Sequence, residues 1–281
     1  MKKELRYLPE FNAFGIEKIV LDNVAEAAIL VLNSKCYEQM GLPVPSDDAP
    51  KVAFLLGQEI GYYTIDYNYA LAIARTGAQI IFLDWHHVEA QLNGCHGLIL
   101  PGGAFVSPKH FYAPFEREQH ESVTSIRAAA YVTCIHRALF MGIPILGICA
   151  GAQMIAGVLG GYLFTDAKKL HEEVEHKTKQ KEAHMVKIIV PRCLLKKLIG
   201  KKEFVVNSRH NEAVYELPYG SPLFIYAVAE NGIPEAWGND DENILCVQWH
   251  PEDYAAEGDV HHQRIYNWLT ERAKAFKSRQ K

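Results

Sequence analysis

Continuous apolar runs of strand length alternate with stretches of helical periodicity through the first part of the chain. "KVAFLL" at 51–56, "AQIIFLD" at 78–84 and "GLILPGG" at 97–103 are such runs, each closed by Gly, Pro or Asp. Unbroken apolar character suits strands buried on both faces. Residues 66–76 carry apolar side chains at helical spacing between the first two runs, which predicts a βαβ opening. A long helix is predicted over 118–140, a further buried strand over 143–148 and a helix over 150–159. This order predicts an α/β fold: a mostly parallel sheet with helices on both faces and with sites at the carboxyl ends of its strands.

After Gly161 the runs become shorter: "HMVKIIV" at 184–190, "EFVVNS" at 203–208, "LFIYAVA" at 223–229 and "NILCVQW" at 243–249, followed by an amphipathic helix over 260–276. The charged stretch "KKLHEEVEHKTKQKE" at 168–182 reads as a solvated loop or hairpin arm. Upstream, "GLPVPSDDAP" at 41–50 has the composition of a linker, dividing the chain into a segment 1–50 and a domain 51–281. Near-helical spacing over 16–32 makes that first segment a helical extension, packed on the core or serving as a lid or the contact of a homodimer.

A length of 281 residues allows one large α/β core or two smaller ones. The net charge of −4, with no basic block, gives nucleic acid nothing to bind to and points to a small-molecule substrate. "AEAAILVLN" is too short to span a bilayer, and the first residues lack an apolar signal core, so a cytoplasmic protein with no membrane partner is expected. Six cysteines without a Cys-x-x-Cys pair argue against disulfides and structural zinc. The adjacent pairs His86–His87 and His261–His262 lack the spacing of a helical metal site, so neither a metal nor a cofactor is expected.

Chemistry enters at "LGICAGAQ", 146–153. Cys149 sits where the strand turns into a helix, flanked by Gly147 and Gly151 in the thiol form of a nucleophile elbow. A helix N-terminus favours the thiolate that attacks carbonyls, although the same octapeptide would also suit a buried cysteine in a tight turn. "CVQWHPED", 246–253, supplies a base: a strand ends in His250, Pro stops it, and Glu252 follows two residues on. Such a histidine takes the thiol proton and returns it to a leaving amine, while the carboxylate holds its tautomer. Acyl transfer further needs donors for an oxyanion; the backbone N–H groups of Gly102, Gly103 and Ala104 in "LPGGAF" and that of Ala150 suit the task.

Taken together, "LPGG", "GICAGAQ" and "VQWHPE" resemble the class I glutamine amidotransferase superfamily, over roughly four fifths of the chain from Lys51 on. "VNSRHNEAV" and "GIPEAWG" are similar to its γ-glutamyl hydrolase branch, the peptidase C26 type that includes γ-glutamyl-γ-aminobutyrate hydrolase. The resemblance implies a flavodoxin-like sheet and a Cys149, His250, Glu252 triad that hydrolyses a γ-glutamyl amide, with the oxyanion held near Gly103 and Ala150. It also implies that Gln153 and the stretch Asn207, Ser208, Arg209, His210 line the pocket for the glutamyl group. Where those hydrolases often carry arginine after the nucleophile, this chain has Ala150, leaving the arginine's task absent or to another residue such as Arg209. The same triad would serve a glutaminase subunit feeding ammonia to a synthetase, and the same fold a non-catalytic binding module.

Overall fold

A computed structural model describes residues 2–11, 17–22, 29–59, 62–104, 107–121, 124–170 and 174–280. The chain forms two compact units, one comprising Met1–Ile99, His136–Ile145 and Pro251–Lys281, the other Leu100–Ile135 and Leu146–His250. In the first unit the chain runs through β1 (Lys2–Phe11), β2 (Glu17–Asp22), β3 (Ile29–Leu32), α1 (Ser34–Gln39), β4 (Lys51–Leu55), β5 (Gly57–Glu59), β6 (Tyr62–Asp66), α2 (Tyr67–Ala74), β7 (Gln79–Leu83), α3 (Val88–Leu92) and β8 (Gly97–Leu100). The predicted βαβ is β4–α2–β7: β4 lies parallel to β7 on one side and to β8 on the other. Val52, Phe54 and Leu55 of β4 are fully buried, as continuous apolar runs require. The remaining strands add antiparallel pairs, β3 on β7, β1 on β2, β2 on β6 and β5 on β6, with β1 parallel to β3.

The segment before Lys51 departs from the expected helices. Across 16–32 the described residues form β2 and β3, and the helix is the short α1 that follows. "EKIVLD" and "ILVL" are rich in β-branched and apolar residues in consecutive positions, and pairing with β6 and β7 overrides the weak helical spacing.

The chain continues through α4 (Ile126–Met141), β9 (Ile145–Ile148), α5 (Ala150–Val158), β10 (Tyr162–Phe164), α6 (Ala167–Leu170), β11 (His184–Ile188), α7 (Leu194–Ile199), β12 (Glu203–Val206), β13 (Ala213–Glu216), β14 (Phe224–Ala229), β15 (Pro234–Gly238), β16 (Ile244–Val247), α8 (Pro251–Ala256) and α9 (Val260–Arg279). The helix expected over 118–140 therefore starts only at Ile126, and Arg117–Gln119 make a separate 3-10 turn. In the second unit the strand order is β12-β11-β14-β15-β16-β9, with antiparallel pairing from β12 through β16, and β10 pairs with β13. The sheet is thus mixed, its parallel ladder centred on β4, with helices packed on both sides. Within the stretch expected to be solvated, Val174 and His176 are buried. Among the described residues no helix is long and apolar enough to cross a membrane.

Candidate active site

β9 ends at Ile148, and Cys149 turns the chain directly into α5 with φ 51° and ψ −113°. A non-glycine residue in the left-handed region costs about 1–3 kcal/mol and persists only when its surroundings hold it there. Here the flanking glycines are sterically required. A Cβ at Gly147 would lie 2.6 Å from Ile155 Cδ1 and 2.8 Å from Ala152 Cα, and one at Gly151 would lie 2.6 Å from the carbonyl carbon of Leu100. Hydrogen bonds complete the turn: Cys149 N donates to Val247 O at 2.8 Å, Gln153 N to Cys149 O at 3.0 Å, and Gly151 N to Pro101 O at 3.1 Å. The last of these docks the start of α5 on the Pro-Gly-Gly turn.

His250 follows β16, and Asn207 grips its backbone in both directions. Asn207 Nδ2 donates to His250 O at 3.0 Å, and His250 N donates to Asn207 Oδ1 at 2.8 Å. Trp249, the residue before His250, is fully buried and edge-on to Phe204, which anchors the chain there. Gly102 is the point where Cys149 and His250 meet: a Cβ there would lie 2.8 Å from His250 Cε1 and 3.0 Å from Cys149 Cβ. Only a glycine lets the turn approach both side chains. Cys149 and His250 are each buried except for a residual 7–8% of their surface.

The turn itself is held from behind by Arg127. Its Nη2 donates to Gly102 O at 2.8 Å and to Tyr131 Oη at 3.2 Å, and Tyr131 Oη donates to Pro101 O at 2.6 Å. Gly103, at φ 133°, leaves room for the guanidinium. Fixing the carbonyls of Pro101 and Gly102 on the arginine side fixes the peptide orientation that an oxyanion donor set would need. Sequence reading missed Arg127, which sits on a helix without a motif around it.

The remaining candidates divide. Ala150 opens α5 beside Cys149. Gln153 is buried, with Nε2 donating to Glu212 O at 2.6 Å and to Gln248 Oε1 at 3.1 Å. Ser208 Oγ donates to His176 O at 2.7 Å, and His210 Nδ1 contacts Glu212 O at 2.8 Å. Arg209 bridges its backbone to Lys177. These polar atoms, expected to line a glutamyl pocket, are turned to protein partners. Glu252, at the first turn of α8, is buried and receives Tyr266 Oη at 3.5 Å.

Two further acidic groups of the second unit escaped the sequence reading. Glu212 accepts from Tyr112 Oη at 2.5 Å and Ser107 Oγ at 3.0 Å; burial pushes its carboxyl up, with those two donors pulling the other way. Glu235, fully buried on β15, faces His176, His184 and His210, its Oε1 lying 3.4, 3.5 and 3.7 Å from their nearest ring nitrogens. Burial would raise that carboxyl, but the three facing imidazoles outweigh it and hold it at about 2. A signal for this cluster existed in the pattern: His184 shares the inward face of β11 with Val186 and Ile188, and Glu235 interrupts an otherwise wholly buried strand.

The family model for Peptidase C26 matches residues 54–252. The chain belongs to the Peptidase C26 family. A provisionally named glutamine amidotransferase of Schizosaccharomyces pombe is 29% identical over 179 residues, covering 63% of this chain and 70% of that one. Among solved structures, a provisionally named GMP synthase subunit from Thermoplasma acidophilum has a TM-score of 0.58 at 18% identity, covering 84% of this chain and 99% of that one. The glutaminase domain of Trypanosoma brucei CTPS, with bound acivicin, has a TM-score of 0.55 at 17% identity, over 79% and 94% of the two chains. This Peptidase C26 member therefore has the class I glutamine amidotransferase fold and is a hydrolase of the glutamine amidotransferase type.

Proposed function

We propose that this Peptidase C26 member hydrolyses γ-glutamyl amides through a thioester on Cys149. The observation that carries the reading is the strained Cys149 at the head of α5, with its Cβ and the His250 ring both packed on Gly102. His250 takes the thiol proton, and the thiolate adds to the side-chain carbonyl carbon of the substrate. Backbone N–H groups near Gly103 and Ala150 stabilise the oxyanion while the C–N bond breaks and His250 protonates the departing amine. Water, deprotonated by His250, then attacks the γ-glutamyl thioester; glutamate leaves and the thiol is restored. Glu252, two residues along the chain from His250, is the carboxylate assigned to hold the imidazole in one tautomer. Arg127 has a positioning role, through the turn it grips.

The test is glutamate release from free glutamine, γ-glutamyl-γ-aminobutyrate, γ-glutamyl-putrescine and γ-glutamyl peptides, with Cys149→Ala as the control. Strong release from a γ-glutamyl amine, reduced at least about 10³-fold in Cys149→Ala, is expected. Substantial turnover by Cys149→Ala overturns the mechanism. Release from glutamine alone replaces the reading with that of an ammonia-supplying subunit.

A further inference from the structure

His176, His184, His210 and Glu235 come from four separate segments of the second unit, and their donor atoms all lie within 4.8 Å of one another. All four side chains are more than nine-tenths buried. His176 Nδ1, His184 Nε2, His210 Nε2 and both carboxylate oxygens of Glu235 have no hydrogen-bond partner among the described residues. Five inward-facing polar atoms left unsatisfied in one small volume are costly unless something shared binds them.

The spacing identifies what that is. A histidine N–H donating to a carboxylate lies about 2.7–2.9 Å from it. The three nitrogens stand 3.4, 3.5 and 3.7 Å from Glu235 Oε1, too far for that bond. A tetrahedral ion with N and O ligands at ~2.1 Å separates those ligands by ~3.4 Å, close to the three nitrogen-to-Oε1 separations, and the full donor set, within 4.8 Å, closes onto such an ion by a small inward shift. We propose that these four side chains form a binding site for a divalent first-row transition cation of the zinc type, held by three imidazoles and one carboxylate.

The outward-facing ring atoms of His210 and His184 fit the same reading. A ligating histidine uses its second nitrogen to hold the ring. His210 Nδ1 contacts Glu212 O at 2.8 Å and His184 Nδ1 faces Met185 O at 3.5 Å, whereas the Asn231 amide donates from Nδ2 to His176 Nε2 at 3.0 Å, so ligation through His176 Nδ1 requires that amide to turn over and give up its bond from Ile233 N. A carbonyl only accepts, so His210 Nδ1 carries the proton and Nε2 presents its lone pair to the cluster. With four protein ligands the shell is closed, which suits a structural ion. Its consequence reaches the active site through the backbone: His210 N and Ser208 Oγ both donate to His176 O, and Asn207, one residue earlier, grips His250. The ion pins the stretch that positions the base.

The experiment is metal analysis of the full chain after incubation with Zn²⁺ and gel filtration, together with melting curves with and without a chelator. About one zinc per chain is expected, with Tm about 5 °C or more higher than for the chelated protein and restored by adding Zn²⁺ back. Replacement by Co²⁺ should give the visible absorption of a tetrahedral site, a readout that needs no variant. Glu235→Gln and His184→Ala should each bind at least about tenfold more weakly. Substoichiometric zinc with an unchanged Tm overturns the proposal, as does full binding that survives both substitutions. Because metal content and Tm are read rather than turnover, this outcome is separate from that of the γ-glutamyl reading.

Discussion

At Gly102 a single missing methyl group decides whether the Cys149 and His250 side chains can share one turn. Gly102→Ala would place its Cβ 2.8 Å from His250 Cε1 and 3.0 Å from Cys149 Cβ, closer than a relaxed contact allows. The imidazole must rotate or the turn must lift. Because small misplacements at the reacting groups cost large factors in rate, kcat for glutamate release should fall about 100-fold while Tm changes little. An unchanged kcat would show that the ring is not held where the structure has it. Position 150, where the sequence resemblance leads to an expected arginine, is Ala150, and Arg127 grips the Pro-Gly-Gly turn from a position no motif marks.

Among the elements, α9 shows most simply how local sequence sets stability. Asp259 caps it, accepting from His261 N at 2.7 Å and His262 N at 3.1 Å. Burial works against the ionised carboxyl, but these N–H groups and the neighbouring His262 outweigh it and hold the carboxyl below its usual range. A carboxylate depressed on folding contributes stability that is present above its unfolded pKa of about 3.9 and is lost as pH falls through the folded value. Asp259→Asn keeps a cap but removes the charge. The variant should therefore melt below the wild type at pH 7, and the difference should shrink on acidification to about pH 3. A gap that stays constant over that range would count against the charge. At the same scale, "ILVL" shows the limit of local reading: its apolar, β-branched residues suit a strand or a buried helix turn alike, and pairing with β1 and β7 decides for the strand.

Over the whole molecule all six cysteines are buried and outside any disulfide, and the proposed mechanism asks one of them to react. Burial pushes the thiols of Cys95 up to about 12, of Cys246 well up, and of Cys193 up, so each is suppressed as a nucleophile. Cys36 and Cys134 are enclosed to within 1% of their surface. Brief treatment of the native chain with a small alkylating agent, read by peptide mass spectrometry, should label Cys149 first. All six should label after denaturation. Earlier labelling of any other cysteine in the native state would remove the basis for assigning Cys149 as the nucleophile.

The sequence by itself determined the parts whose logic is local: the buried strands β4, β7, β8 and β9, the helix after each turn, and the motifs around Gly102, Cys149 and His250. Periodicity, glycine at a crowded turn and a proline that ends a strand act over a few bonds, so they can be read from neighbours alone. The tertiary structure decided what depends on segments far apart in the chain. It put strands at 17–22 and 29–32, within a stretch whose spacing looked helical, drew His176 inward from a charged stretch, and turned Asn207, Ser208 and His210 toward protein partners. It also gathered three histidines and Glu235 from four segments with no shared spacing. Such convergence is set by non-local strand pairing and the burial of whole faces, and no short stretch of residues encodes it.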